Sequence, residues 1–320
     1  MRNKLNAAYK AMRKATQKKY RQYKQYKFFR VALFRVALIG TFGGIAAVLA
    51  SWLLISETAC FSVKPGTTNT QLVGNLPAII NEASGMVASV QNPELLWVHN
   101  DSGDAARLFG IRPNGSIVVE LNFPEINAVD WEDIALDRTT GFIYIGDIGD
   151  NFGIRKTKTI YRFKEPIIKA QTPRHQSIQS VDTLTFKYPD GRRDAETLFV
   201  YDGALIVISK RDQAPHVYQL PLNFDNDSVV AIALGTLAYR VNADVDRIVA
   251  GDSQGDHIAL RSANRILLWH GQNALLNEQP KVVDYPIEPQ GESLALDTHG
   301  LYTVSECCQS KHPPIYYTRL

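Results

Sequence analysis

Trp131-Glu132-Asp133-Ile134-Ala135, Ala195-Glu196-Thr197-Leu198-Phe199, Ala243-Asp244-Val245-Asp246-Arg247 and Gly291-Glu292-Ser293-Leu294-Ala295 are four short segments with an acid at the second position. A fifth, Ser84-Gly85-Met86-Val87-Ala88, has glycine in that place. From Gly85 through Glu132, Glu196, Asp244 and Glu292 the steps are 47, 64, 48 and 48 residues. A period of about 40 to 50 residues marks propeller blades. The expected fold is all-β, a β-propeller with an acidic group at the same place in most blades.

The rest of each unit agrees. After each segment comes a turn and then a β-rich run, such as Leu95-Leu96-Trp97-Val98-His99, Phe142-Ile143-Tyr144-Ile145 or Ala204-Leu205-Ile206-Val207-Ile208. Third strands are expected at Arg107–Ile111, Thr159–Phe163 and Arg265–Trp269, and fourth strands at Ser116–Leu121, Val181–Tyr188, Val229–Leu237 and Lys281–Ile287. β-Branched and aromatic runs bounded by Gly, Asp, Asn and Pro read as strands with turns. The unit after Glu292 has room for three strands, so Thr70–Ile79 is expected to supply the fourth and close the ring, which removes an exposed sheet edge. Five blades are countable. The 64-residue step contains an irregular stretch, Glu165–Ser180, read as an insertion, with a sixth blade left open.

Residues 36–55 are twenty positions without a charge, enough at 1.5 Å per residue to span the roughly 30 Å hydrocarbon core of a bilayer. Twelve Lys and Arg and no acid lie in residues 1–35. The positive-inside rule then places the N-terminus in the cytoplasm and the propeller outside it. The expected organisation is a basic cytoplasmic segment (1–35), a transmembrane helix acting as an uncleaved signal-anchor (36–55), a linker (56–68) and the propeller (69–320). That is a single-pass protein of the bacterial inner membrane with a periplasmic domain. Glu57-Thr58-Ala59-Cys60 fits a lipoprotein cleavage site poorly, because Glu57 occupies an apolar position. Without the twelve N-terminal bases, 23 bases face 32 acids, so the exported part is acidic. The basic tail reads as a membrane-surface segment attracted to anionic lipid, and no nucleic-acid partner is expected.

Three cysteines, Cys60, Cys307 and Cys308, are too few for a disulfide framework, and either a Cys307–Cys308 or a Cys60-containing pair is open. No histidine sits at zinc-ligand spacing from a cysteine. A Gly-x-Ser-x-Gly elbow, His-Glu-x-x-His, a P-loop and a dinucleotide fingerprint are all absent from the sequence, which removes the chemistries those motifs carry.

What remains is the acid ring. The first strand of each propeller blade lines the channel, so Glu132, Glu196, Asp244 and Glu292 are expected to ring one mouth. Converging carboxylates must share protons, pair with bases or bind a metal. Bases stand at the ends of second strands (Lys210, Arg211 and Arg261), and oxygen donors stand at that place elsewhere (Asn100, Asp101, Asp147 and Glu306). An all-oxygen set suits Ca²⁺ or another hard divalent cation. Asp101-Ser102-Gly103-Asp104, Asp147-Ile148-Gly149-Asp150-Asn151 and Asp252-Ser253-Gln254-Gly255-Asp256 are related Asp/Gly turns, a type that backbone preference alone also produces. Beside the first of them, His99 is the best-placed acid–base histidine, although strand histidines are more often structural.

The strings Trp97-Val98-His99-Asn100-Asp101-Ser102-Gly103-Asp104, Asp130-Trp131-Glu132-Asp133-Ile134-Ala135, Gly146-Asp147-Ile148-Gly149-Asp150-Asn151, Asp194-Ala195-Glu196-Thr197-Leu198, Ser209-Lys210-Arg211 and Gln290-Gly291-Glu292 resemble a family of uncharacterised bacterial exported β-propellers, over most of residues 80–320. That family is similar, more distantly, to phytase-like and gluconolactonase-like propellers. The resemblance implies a metal near the channel mouth and hydrolysis of esters, phosphoesters or lactones. The chain departs from it at Cys307-Cys308 and at Asp244, where glutamate is expected.

Two functions follow. One is a metal-dependent hydrolase in which Asn100, Asp101, Glu132, Asp147, Glu196, Asp244 and Glu292 supply metal ligands. Glu132, Glu196 and Glu292 would carry the catalysis, with Lys210, Arg211 and Arg261 stabilising negative charge. The other is a non-catalytic envelope scaffold, binding a small molecule or an envelope protein, whose acids and bases form a structural network or hold a structural calcium.

Overall fold

The structure, a computed structural model, describes residues 69–320 apart from Asp284, Pro286, Ile287, Pro289 and 307–311. The expected anchor (36–55), the basic segment and all three cysteines lie outside the described residues. Among the described residues, no helix is long and apolar enough to cross a membrane.

Five mainly antiparallel sheets form the ring of the described residues. A lone N-terminal strand, β1 (Thr70–Asn75), precedes the first blade, made of β2 (Ala83–Ala88), β3 (Leu96–Asn100), β4 (Arg107–Ile111) and β5 (Ile117–Asn122). The second blade begins with β6 (Trp131–Asp137), β7 (Phe142–Asp147) and β8 (Lys158–Lys164). The chain then runs through β9 (His175–Ser177) and β10 (Asp182–Lys187). The third holds β11 (Ala195–Tyr201), β12 (Ala204–Ser209) and β13 (His216–Pro221), followed by β14 (Ser228–Val230) and β15 (Ile232–Thr236). The fourth holds β16 (Ile248–Gln254), β17 (His257–Ser262), β18 (Ile266–His270), a short helix α1 (Gln272–Asn277) and β19 (Lys281–Val283). The fifth holds β20 (Gly291–Leu296), β21 (Gly300–Ser305) and β22 (Pro314–Arg319), and β1 pairs with β22 to close the ring as expected.

The 64-residue step contains no sixth blade. Part of its insertion, β9, returns to the first blade and pairs in parallel with β5. The expected fourth strand Val229–Leu237 is likewise divided. β14 joins the second blade parallel to β10, and β15 completes the third. Each of these excursions covers an outer edge of the preceding blade, an edge that would otherwise stay open to pairing.

Apolar strand faces make five layers, one between each pair of neighbouring blades. Trp97, Trp131 and Phe163 fill one such layer, and Phe199, Ile208 and Trp269 another. The ring is also tied at its axis. Buried Asp133 of β6 accepts the backbone N–H of Leu198 in β11 (2.9 Å) and of Gly251 in β16 (3.2 Å). At the far end of the inner strands, Arg138 donates to the carbonyls of Ala88, Ser253 and Leu296 and to Asp252 Oδ2, so that one side chain bridges four blades. The third Asp/Gly turn therefore belongs to the far end, with Asp252 serving this bridge.

Candidate functional site

All five inner strands carry the same irregularity one residue in from their start. The pairing skips a residue between Ala83 and Gly85, Trp131 and Asp133, Ala195 and Thr197, Ile248 and Ala250, and Gly291 and Ser293. The bulged residues are Ser84, Glu132, Glu196, Val249 and Glu292. A bulge leaves its residue outside the ladder and re-aims the side chain. Three glutamates are thereby delivered to one mouth of the channel.

The register corrects two assignments. The first-blade equivalent is Ser84, one residue before Gly85, and its hydroxyl donates to the Glu132 carbonyl at 2.6 Å. The fourth-blade equivalent is Val249, five residues after Asp244. Asp244 lies in a 3₁₀ turn, its side chain 83% exposed and paired with Arg247 at 2.8 Å, outside the carboxylate group.

Around Glu132 the carboxylates fall into two groups of three, Asp101, Asp130 and Glu132, and Glu132, Asp194 and Glu196. Each supplies oxygens within 4.8 Å of one another. Lys210, which follows β12, is ion-paired with Glu196 and feels Glu292 and Glu132 as well. Glu292 in turn feels Glu306 and Asp101. Gly149 lies beneath the first group. A Cβ there would stand 2.0 Å from Glu132 Oε1 and 2.5 Å from Asp130 Oδ2, so only glycine lets the two carboxylates converge. Gly149→Ala is expected to lower divalent-cation affinity at least ~10-fold, as disturbed ligand orientation does, while overpacking costs about 1–3 kcal/mol of stability. Calorimetric titration and thermal melting read the two effects separately.

Burial without enough countercharge sets the electrostatics. Burial pushes the carboxyls of Asp130 and Glu292 up to about 8 and that of Glu196 to about 7, even though Lys210 acts against the latter two shifts. Burial, with Glu196 and Asp101 adding repulsion, holds Glu132 well above the ordinary glutamate range. Burial also works against the Lys210 ammonium, but Glu196, Glu292 and Glu132 outweigh it and keep the pKa above the usual lysine value.

Other expected site residues are engaged elsewhere. Asn100 is fully used, with Oδ1 accepting from Glu82 N and Nδ2 donating to Ile79 O and Asp104. Asp147 caps the entry to β6, accepting from Val129 N and Asp130 N, and pairs with Arg155 at 2.6 Å. Arg211 pairs with Asp194 and reaches Asn151. Arg261 is fully buried. It pairs with Glu288 and donates to the carbonyls of Ser293 and Val304, under Gly291, so it clamps the fourth blade to the fifth. His99 is also fully buried against Trp131, and burial lowers it to about 4, leaving a neutral structural imidazole.

Two members of the cluster, Asp130 and Asp194, were not singled out by the sequence reading. Their signal is a recurring Asp-x-Glu, Asp130-Trp131-Glu132 and Asp194-Ala195-Glu196, at the same distance before the bulge in successive blades. Asp194 is anchored by the backbone N–H of Asp150 at 2.7 Å, and Asp150 is itself held by buried Lys158 at 2.8 Å.

No family model matches the chain, and no curated protein matches it. Among solved structures, the chain is similar to the PQQ-bound aldose sugar dehydrogenase of Streptomyces coelicolor, at 10% identity and a TM-score of 0.48 over 79% of this chain and 99% of that one. It is similar to the glutaminyl cyclase of Myxococcus xanthus at 11% identity and a TM-score of 0.47, over 78% and 95% of the two chains. A chain provisionally assigned as a gluconolactonase matches at 12% identity and 0.43, over 80% and 93%. All three are similarities of overall fold at low identity.

Proposed function

We propose that the propeller binds a divalent cation at its bulged mouth and uses the site to hydrolyse a small ester, lactone or phosphoester. In this reading it acts outside the cytoplasm of a bacterial cell, tethered by residues 36–55. The observation that carries the reading is the convergence of Glu132 with Asp101 and Asp130, where neither the Glu132 nor the Asp130 carboxylate has a bonded cationic side chain among the described residues.

The residues fit a hard cation, because the donors are all carboxylate oxygens and, among the described residues, their charge exceeds that of Lys210 and Arg211 together. Asp101, Asp130 and Glu132 would hold it. A bound cation supplies Lewis-acid polarisation of a carbonyl or phosphoryl oxygen. Glu196, at about 7, is poised to accept and return a proton near neutral pH, and Lys210 fixes its orientation. Asp101, Asp130 and Glu292 are only partly covered, so a substrate reaches the site from this mouth. At the other end Arg138 bridges the blades. Because Arg211 and Arg261 are both paired, neither is offered to an anionic substrate, which favours a neutral ester or lactone over a phosphoester.

The second reading, a scaffold whose charges are structural, draws on that same pairing of Lys210, Arg211 and Arg261. Metal content and melting of the full-length chain in detergent separate the two. Asp130, Glu196 and Glu292 have folded-state pKa values above their unfolded ones, so between about pH 4 and 8 the folded state holds the extra protons. Stability in EDTA should therefore fall as pH rises from 6 to 8.5, by about 2–4 °C for each kcal/mol lost. Ca²⁺ selects the ionised carboxylates and should raise Tm more at pH 8.5 than at 6. A protein without metal whose Tm ignores Ca²⁺ at both pH values favours the scaffold. A shift justifies assaying lactones, esters and phosphoesters for turnover.

A further inference from the structure

The two carboxylate groups that share Glu132 differ in how their charge is balanced. In the group of Glu132, Asp194 and Glu196, a base already sits on each of the latter two. Lys210 pairs with Glu196, and Arg211 pairs with Asp194, which also accepts the Asp150 N–H at 2.7 Å. In the other group, among the described residues, no hydrogen-bond donor or ion-pair partner reaches the carboxylate of Asp130 or of Glu132. Glu132 is only 3% exposed and its Oε1 lies against the glycine floor at Gly149. A nearly buried carboxylate with no donor, aimed into a cluster of like groups, is costly unless a ligand answers it. The Lys210 ammonium beside it shows that the neighbouring half already accommodates a positive charge.

Resting on the cation reading above, we infer that the mouth takes one divalent cation, on Asp101, Asp130 and Glu132, and that Lys210 stands permanently in the place of a second. An ammonium and a dication compete for the same carboxylate oxygens, so while Lys210 is present the half containing Glu196 stays closed to metal. Lys210 thereby fixes the stoichiometry, and it leaves Glu196 unmetallated and able to take a proton. Removing the ammonium while keeping a polar side chain of similar length should open the second half. Replacing it with arginine should keep that half closed.

Ca²⁺ titration of the full-length chain by calorimetry, after EDTA treatment and dialysis, tests this with Lys210→Gln and Lys210→Arg. One Ca²⁺ per chain is expected for the wild type and for Lys210→Arg, and two for Lys210→Gln. Two in the wild type, or one in both the wild type and Lys210→Gln, overturns the role of Lys210 and leaves the cation reading standing. No binding by the wild type overturns both. If Lys210→Gln unfolds in EDTA, melting in saturating Ca²⁺ decides. Recovery to within a few degrees of the wild type supports the inference, and failure to recover overturns it.

Discussion

Glu132→Gln is expected to abolish measurable turnover and to weaken Ca²⁺ binding about 100-fold or more, while Tm in EDTA stays level or rises. Glu132 is the one carboxylate common to both groups, so its loss removes a ligand outright, where changes to surrounding partners alone cost 10–100-fold. The stability half of the result follows from charge. Burial disfavours the ionised carboxylate, and Glu196, Asp101 and Asp130 repel it. A neutral amide of the same shape removes both penalties. A metal-free Tm that drops by 10 °C would mean that Glu132 holds the ring together, and the scaffold reading would take its place.

Arg261→Ala is expected to act in the opposite way, costing about 3–5 kcal/mol, the usual penalty for stranding one partner of a buried ion pair. For a domain of this size that is a Tm loss of roughly 6–20 °C. Glu288 would be left buried with Thr303 Oγ1 as its remaining donor among the described residues, at 3.0 Å, and the Ser293 and Val304 carbonyls would each lose a donor. The double variant Arg261→Met with Glu288→Leu should recover much of the loss, since a well-packed apolar pair often replaces a buried ion pair at little cost. Below the melting transition, turnover should change less than a few-fold. Full stability with turnover lost would return Arg261 to the site.

Much of the blade pattern was legible because strands and turns are local. Alternating β-branched and aromatic runs such as Phe142-Ile143-Tyr144-Ile145, closed by Asp and Gly, announce a strand whatever lies across from it. The closing strand followed from counting, since the last unit lacked one. The carboxylates were legible where the inner-strand spacing held, at Glu132, Glu196 and Glu292. Asp244 misled because its segment mimics the acid-bearing pattern at a plausible spacing while folding as a 3₁₀ turn. The pairing of Ile248 with Ser262 and Ala250 with Arg261 places the bulge on Val249. Arg261 misled for a related reason. It stands at a second-strand end, like Lys210, but Gly291 opens a slot that draws its guanidinium into the wall between blades.

The sequence by itself determined an all-β propeller of five countable units with a sixth left open, closed by its N-terminal strand and carrying glutamates near the starts of three inner strands. Those features depend on residue type and short-range spacing, which the chain carries at every point along its length. Only the tertiary structure decided which acids meet, which bases are spent on structure, and that Asp133 and Arg138 tie the axis. Each of those outcomes depends on which backbone N–H, carbonyl or carboxylate stands opposite a given residue once the ring has closed. The partners of Asp133 and Arg138 in other blades lie 50 to 158 positions away, and no local pattern records such a meeting.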